Sequence, residues 1–164
     1  MRKLILNLAA LVLVAFLAQF AEAQQPANIP RIGYLTASSV SAGASFREVF
    51  REGLRQLGYV ESQNIIIEWR YADGRDERLP DLAAELVRLK VDVIVTHSTP
   101  AIRAVEHATK IIPIIMAVVG DPIAQGFVAS LARPGGNITG FTNLSPDLST
   151  KRLELLKEVS PKEV

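Results

Sequence analysis

Residues 111–144, IIPIIMAVVGDPIAQGFVASLARPGGNITGFTNL, carry the pattern that decides the fold. Residues 111–119 are a near-continuous apolar run, the composition of a parallel strand buried on both faces. Gly120, Asp121 and Pro122 stop that strand and predict a helix start. Asp121 suits the N-cap, and Pro122 suits the first helical position, where no N–H is needed. Arg133-Pro134-Gly135-Gly136-Asn137 predict the end of that helix, and residues 138–144 a further strand. The stretch reads as a strand–helix–strand unit, which many unrelated proteins contain.

The same alternation extends toward both ends. Residues 31–37 (RIGYLTA) read as a first strand, followed by a small, polar loop over 38–44. The first helix carries Phe46, Val49, Phe50, Leu54 and Leu57 at helical spacing, with Arg47, Glu48, Arg51 and Arg55 toward water. Gly58 stops it as a C′ glycine. Residues 64–71 predict the second strand, turned off by Asp73-Gly74. The second helix begins within 76–80 and places Leu79, Leu82, Ala83 and Leu86 on one face. Residues 91–96 predict the third strand, and the third helix runs from Thr99 to about Lys110. A fifth helix over 147–159 directs Leu148, Leu155, Leu156 and Val159 inward.

Strict alternation with short loops calls for an α/β fold, a doubly wound parallel five-stranded sheet in the flavodoxin-like order 2-1-3-4-5. Ligands bind such sheets beyond the carboxyl ends of the strands, at the switch between the first and third. Loops 38–44, 97–100 and 120–122 border that crevice.

The first 23 residues read as an export signal. Arg2 and Lys3 give a basic start, residues 8–18 are apolar, and Ala21-Glu22-Ala23 offers a cleavage site after Ala23, with Gln24 as the new N-terminus. The apolar run is shorter than the roughly 20 residues of a membrane span. No cysteine follows it, so a lipid-anchored precursor is excluded. The expected product, residues 24–164, is one soluble, exported domain, periplasmic in a bacterium. The 18 basic and 17 acidic residues come into balance once Arg2, Lys3 and Glu22 are removed. That balance points to no nucleic-acid partner and no anionic membrane surface. With no cysteine in the chain, burial alone must hold the domain.

Two helix starts share one design: Thr99-Pro100 and Asp121-Pro122 each pair a capping side chain with proline. Both direct free N–H groups and a positive dipole end toward the crevice. Thr99 and Asp121 acting simply as caps would explain both. The sharper reading uses their difference. Neutral Ser98 and Thr99 leave the third helix open to an anion, while Asp121 favours an ammonium or hydroxyl. A zwitterion would then place its carboxylate at Ser98, Thr99 and the N–H groups of Ala101 and Ile102, and its amine near Asp121. Ser38, Ser39, His97 and Gly120 complete the candidate ligand-binding set.

His97 ends a strand beside the crevice, where a ligand hydrogen bond and an unliganded strand-end histidine are both open readings. His107 faces solvent. No metal site is supported, because no second ligand recurs at helical or hairpin spacing. Asp73, Asp76 and Glu77 fit a turn and a helix start, and Trp69 fits packing or an interface. No G-x-G-x-x-G, P-loop or G-x-S-x-G occurs, and no base is placed to activate Ser38, Ser39 or Ser41. The residues suit holding a ligand rather than transforming it, so no enzyme and no cofactor are expected.

The wording of the motifs is more specific than their layout. Gly120-Asp121-Pro122, Gly126, Val128, Ser130-Leu131 and residues 134–140 (PGGNITG) resemble the ABC-transporter substrate-binding family that includes tryptophan- and tyrosine-binding proteins. Ile32-Gly33-Tyr34-Leu35, Leu57-Gly58-Tyr59, Glu68-Trp69-Arg70, residues 82–87 (LAAELV), 91–95 (VDVIV) and 151–156 (KRLELL) are similar to it in the same order. The resemblance implies a type I periplasmic binding protein, two α/β lobes that close on a solute and dock on a membrane permease. Lys151 to Leu156 resemble the last helix of the first lobe, so the chain is expected to be the N-terminal lobe only, with the second lobe absent. The implied function is solute binding for an ABC importer, of an amino acid or similar small solute. An exported single-lobe interaction module, including self-association, and a secreted α/β enzyme are the alternatives.

Overall fold

β1 (Arg31–Thr36), β2 (Ile66–Tyr71), β3 (Val93–Thr96), β4 (Ile114–Val119) and β5 (Ile138–Thr142) form one parallel sheet in the order β2-β1-β3-β4-β5. This is the expected doubly wound arrangement. The computed structural model describes residues 29–143 and 145–159, so the expected signal segment and its cleavage point at Ala23 and Gln24 lie outside the described residues. Strands β2, β3 and β4 begin two or three residues inside their apolar runs. Local side-chain bonds are the reason at β2 and β4. Asn64 accepts from Val60 N–H and donates to Gly58 O, which spends it on a turn. Thr109 Oγ1 accepts from Ile111 and Ile112 N–H, closing a turn before β4 can start.

One sheet face is covered by α2 (Leu79–Arg88), which follows a short 3-10 turn at Asp76–Arg78, and by α3 (Thr99–Ala108). Leu79, Leu82, Ala83 and Leu86 are buried, as their spacing predicts. They pack with Ala101, Ile102 and Val105 of α3 against Leu35, Ile94, Ile114, Met116 and Ile138.

The other face is covered by α1 (Ala44–Gln56). Phe50 and Leu54 pack on Tyr34, Ile67 and Val95, but Val49 and Leu57 are 73% and 75% exposed. The expectation of five inward residues is therefore corrected: only part of the stripe reaches the sheet. Gly58 ends the helix as expected, at φ +84°. Its N–H bonds to Arg55 O and the Tyr59 N–H to Leu54 O, the paired bonds of a Schellman motif. Trp69 does pack. Its ring centroid lies 4.8 Å from Tyr34, the Arg51 guanidinium sits over it, and its Nε1–H donates to Glu61. Burial pushes the Glu61 carboxyl up, yet the bonds from Arg51 and Trp69 outweigh this and hold it below its ordinary value.

Two expected helices come out differently. After Asp121-Pro122 there is no helix, only consecutive turns over 122–126. One turn forms, with Gln125 N–H on Asp121 O, and Gly126 at φ +75° then ends it. The Gln125 carbonyl, which a continuing helix would use, is taken by the Arg103 guanidinium, which also lies over the Phe127 ring. Phe127 and Val128 are buried in the core below. The fifth predicted helix forms as α4 (Ser145–Val159), but Leu153, Leu155, Leu156 and Val159 are 49–81% exposed. Leu155, Leu156 and Val159 are thus not inward; the Leu148 side chain lies outside the described ones.

Two glycines give opposite expectations. Gly53, within α1, has open space where a Cβ would stand, and Gly140, in β5 at φ +146°, has the Met116 backbone carbonyl there. Gly53→Ala should stabilise the chain by about 0.5–1 kcal/mol by removing freedom from the unfolded state. Gly140→Ala should destabilise it by at least about 2 kcal/mol. Urea titrations of the two variants check both signs, and a harmless Gly140→Ala would overturn the account of β5.

Candidate functional site at the carboxyl ends of β1 and β3

β1 and β3 are neighbours, paired from Ile32–Val93 to Leu35–Thr96, but their chains leave toward opposite faces of the sheet. The divergence opens a crevice at their carboxyl ends. Thr96 Oγ1 donates to Leu35 O and ties the two strand ends together.

On the β1 side, Ser39 Oγ accepts from Ala42 N–H and lies 3.1 Å from Ser41 Oγ, so it shapes the turn into α1. Ser38 N–H donates to Thr36 Oγ1, and Ser38 O accepts from Asp73 N–H. On the β3 side, His97 Nε2 lies 2.9 Å from Thr36 Oγ1. The His97 ring is flanked by Phe46 at 5.4 Å and Tyr34 at 6.2 Å. Burial holds the imidazole below its ordinary value, favouring the neutral ring. Burial, with a smaller push from Tyr71, likewise raises the Tyr34 phenol far above its usual range.

The N-cap of α3 is Ser98, not Thr99, which is the first helical residue. Ser98 holds φ +72° and ψ 141°, a conformation that costs a non-glycine residue about 1–3 kcal/mol. Its Oγ is buried and has no partner among the described residues. The expected free N–H of Ile102 is absent, because it closes the first helical bond onto Ser98 O. Among the described residues the Thr99 and Ala101 N–H groups take no such bond, and Pro100 has none to offer. Ser98 Oγ and two backbone donors are therefore the polar groups left open at this helix start.

Asp121 does not cap a helix. Its Oδ1 accepts from Ile123 and Ala124 N–H at 3.1 and 2.9 Å, holding its own turn. Among the described residues Oδ2 takes no protein donor. The adjoining Gly120 carbonyl accepts from Thr142 Oγ1. The structure thus brings Ser38 and His97 together through Thr36, while Asp121 is held separately on the β4 side. His107 is exposed, as expected. Sequence reasoning passed over Thr36. A hydroxyl closing an otherwise apolar strand was the available signal.

Comparison with known proteins bears on the family and the fold. The model of the ABC transporter substrate binding protein family matches residues 37–163. The chain is 41% identical over 114 residues to a tyrosine-binding protein of Clostridioides difficile, covering 69% of this chain and 32% of that protein. A Streptococcus ABC domain solved in complex with L-Trp superposes with a TM-score of 0.63 at 31% identity, over 69% of this chain and 38% of that one. A conserved domain protein from Vibrio cholerae gives 0.73 at 31% identity, over 82% and 45%. A ligand-free, open substrate-binding protein with adhesive properties from Clostridium difficile gives 0.67 at 33%, over the same shares. The chain therefore spans about a third of the length of the curated relative and less than half of each solved one.

The unpartnered hydroxyl makes a stability prediction. Ser98→Ala removes a buried group with nothing to bond, so it should raise stability by about 1–2 kcal/mol. Thermal unfolding checks this, and a lowered midpoint would mean that Ser98 Oγ is satisfied within the folded chain.

Proposed function

Because the chain belongs to the ABC transporter substrate-binding protein family, whose members bind ligands rather than transform them, we propose that it is the solute-binding component of an ABC importer. Its solute is an amino acid, aromatic like the ligands named for its relatives. The observation that carries this reading is the Ser98 junction. An unpartnered buried hydroxyl and two open N–H groups stand at a helix start on the β1–β3 crevice. Such a group suits a carboxylate, through hydrogen bonds and the positive helix end. Asp121, with Oδ2 unspent, supplies the negative charge that an α-ammonium group needs. Ser38 and Ser39 follow β1, and Gly120 follows β4, at the same carboxyl end of the sheet.

In this reading the protein works as one lobe of two. The second lobe would complete the cleft, contact a membrane permease and cover apolar surface such as the α4 leucines. A small-molecule site buries about 70–90% of its ligand, and one lobe can cover roughly half. Micromolar affinity corresponds to about 8 kcal/mol, so losing half leaves roughly millimolar binding. The basic, apolar and small-residue segments of the first 23 residues support export to the periplasm. Among the described residues no helix is long and apolar enough to cross a membrane.

The exposed Val49, Leu57 and α4 leucines favour a second reading, an exported module that associates with itself or another protein. Sedimentation with calorimetry on a two-lobed form separates them: a stable dimer that ignores amino acids even with both lobes present would support the module and sink the receptor reading.

Two outcomes are expected. Periplasmic material should begin at Gln24, and a mature chain starting at Met1 in the membrane fraction would overturn the assigned location. Asp121→Asn keeps the Oδ1 acceptor and removes the charge. In a two-lobed form it should weaken L-tyrosine or L-tryptophan binding at least about tenfold, the value of a charged hydrogen bond. Calorimetry showing unchanged affinity would remove Asp121 from the site.

A further inference from the structure

Thr36 closes β1 beside β3 and is 1% exposed. Its Oγ1 has two polar neighbours, the Ser38 N–H at 3.1 Å and His97 Nε2 at 2.9 Å. The Ser38 N–H can only donate, so it occupies one lone pair of the hydroxyl oxygen. The hydroxyl proton of a buried threonine needs an acceptor of its own. Among the described residues, the unprotonated Nε2 of His97 is the acceptor in reach.

We infer that Thr36 is a positioning residue that fixes His97 as the neutral Nδ1–H tautomer, giving the crevice a further hydrogen-bond donor for an oxygen atom of the ligand. The inference deepens the carboxylate-site reading of the β1–β3 junction and rests on it for the ligand. Nδ1 has no protein partner among the described residues, and the ring is half-buried next to Ser98. An imidazole that donates, set beside a helix start that donates, selects oxygen acceptors over cationic groups.

Protonation works against the same geometry. An imidazolium donates from both nitrogens, so Thr36 Oγ1 would accept twice and its own proton would lose its acceptor. Of the titratable groups facing the ring, Tyr34 of β1 is neutral, and Phe46 of α1 carries no charge. Burial alone holds the imidazole below its ordinary value. The positive end of α3 opposes a cation there as well. His97 should therefore stay neutral as pH falls through the ordinary imidazole range.

Long-range 1H–15N spectra of histidine-labelled chain test this directly, because His97 and His107 are the two histidines. At neutral pH His97 should show a pyridine-like Nε2 and a protonated Nδ1, and it should titrate below the ordinary imidazole range. Thr36→Val should release His97 toward the Nε2–H form, and Thr36→Ser should restore the wild-type pattern. Amide spectra of both variants confirm that they fold. A wild-type His97 carrying its proton on Nε2, or a tautomer unchanged in folded Thr36→Val, overturns the inference whatever binds. L-Tryptophan at millimolar concentration should shift the His97 Nδ1–H signal, with about fivefold weaker binding to Thr36→Val, the worth of one neutral hydrogen bond. A tautomer in place with no response to L-tryptophan would instead overturn the carboxylate-site reading.

Discussion

A parallel sheet has to be covered on both faces, and this requirement organises the rest of the molecule. Successive strands point the same way, so each connection must cross back over one face or the other. The chain after β1 returns over one face as α1, and the chain after β3 returns over the opposite face as α3. The strands stay bonded to each other while their exits diverge. The crevice between them follows from topology, before any functional side chain is specified. The two faces are finished unequally. α2, α3 and the inserted Phe127 and Val128 close one of them. On the other, α1 packs Phe50 and Leu54 inward and leaves Val49 and Leu57 open.

Polar groups are treated differently at the two ends of the sheet. Away from the crevice, Asn137 donates to Thr109 O and Ile112 O, and Asp92 accepts the Arg31 N–H, so loop groups are satisfied locally. At the crevice, Ser98 holds a strained backbone and an unpartnered buried hydroxyl. Such costs persist where the surroundings enforce them, and they gather at sites that hold a ligand. Thr36 stands between these regimes, buried like a core residue yet bonded to both sides of the crevice. Position on the sheet separates satisfied polar groups from open ones here, because residue type alone does not.

Much of the fold was legible in the sequence because it rests on period and punctuation. The α2 face of Leu79, Leu82, Ala83 and Leu86 is a helical stripe that the core then buries. Gly58 ends α1 at positive φ, as glycine after an apolar stripe implies. Asp121-Pro122 gave an equally clear local signal and failed. The helix it announces is cut short when Arg103, distant in sequence, captures the Gln125 carbonyl and Phe127 turns into the core. Local propensity is worth tenths of a kcal/mol per residue, and burying a large side chain is worth about 1.5–3 kcal/mol. The tertiary contact wins.

By itself, then, the sequence determined the strand order and the family. Those follow from alternation, turn chemistry and motif wording, all of which act over a few neighbouring residues. Only the tertiary structure decided which polar atoms remain open. It spent the Ile102 N–H on the helix, moved the cap from Thr99 to Ser98, and gave one Asp121 oxygen to its own turn. It also joined Thr36 to His97 across 61 positions of chain. A hydrogen bond depends on a few tenths of an ångström and on direction, and packing sets both between segments that the linear order keeps far apart.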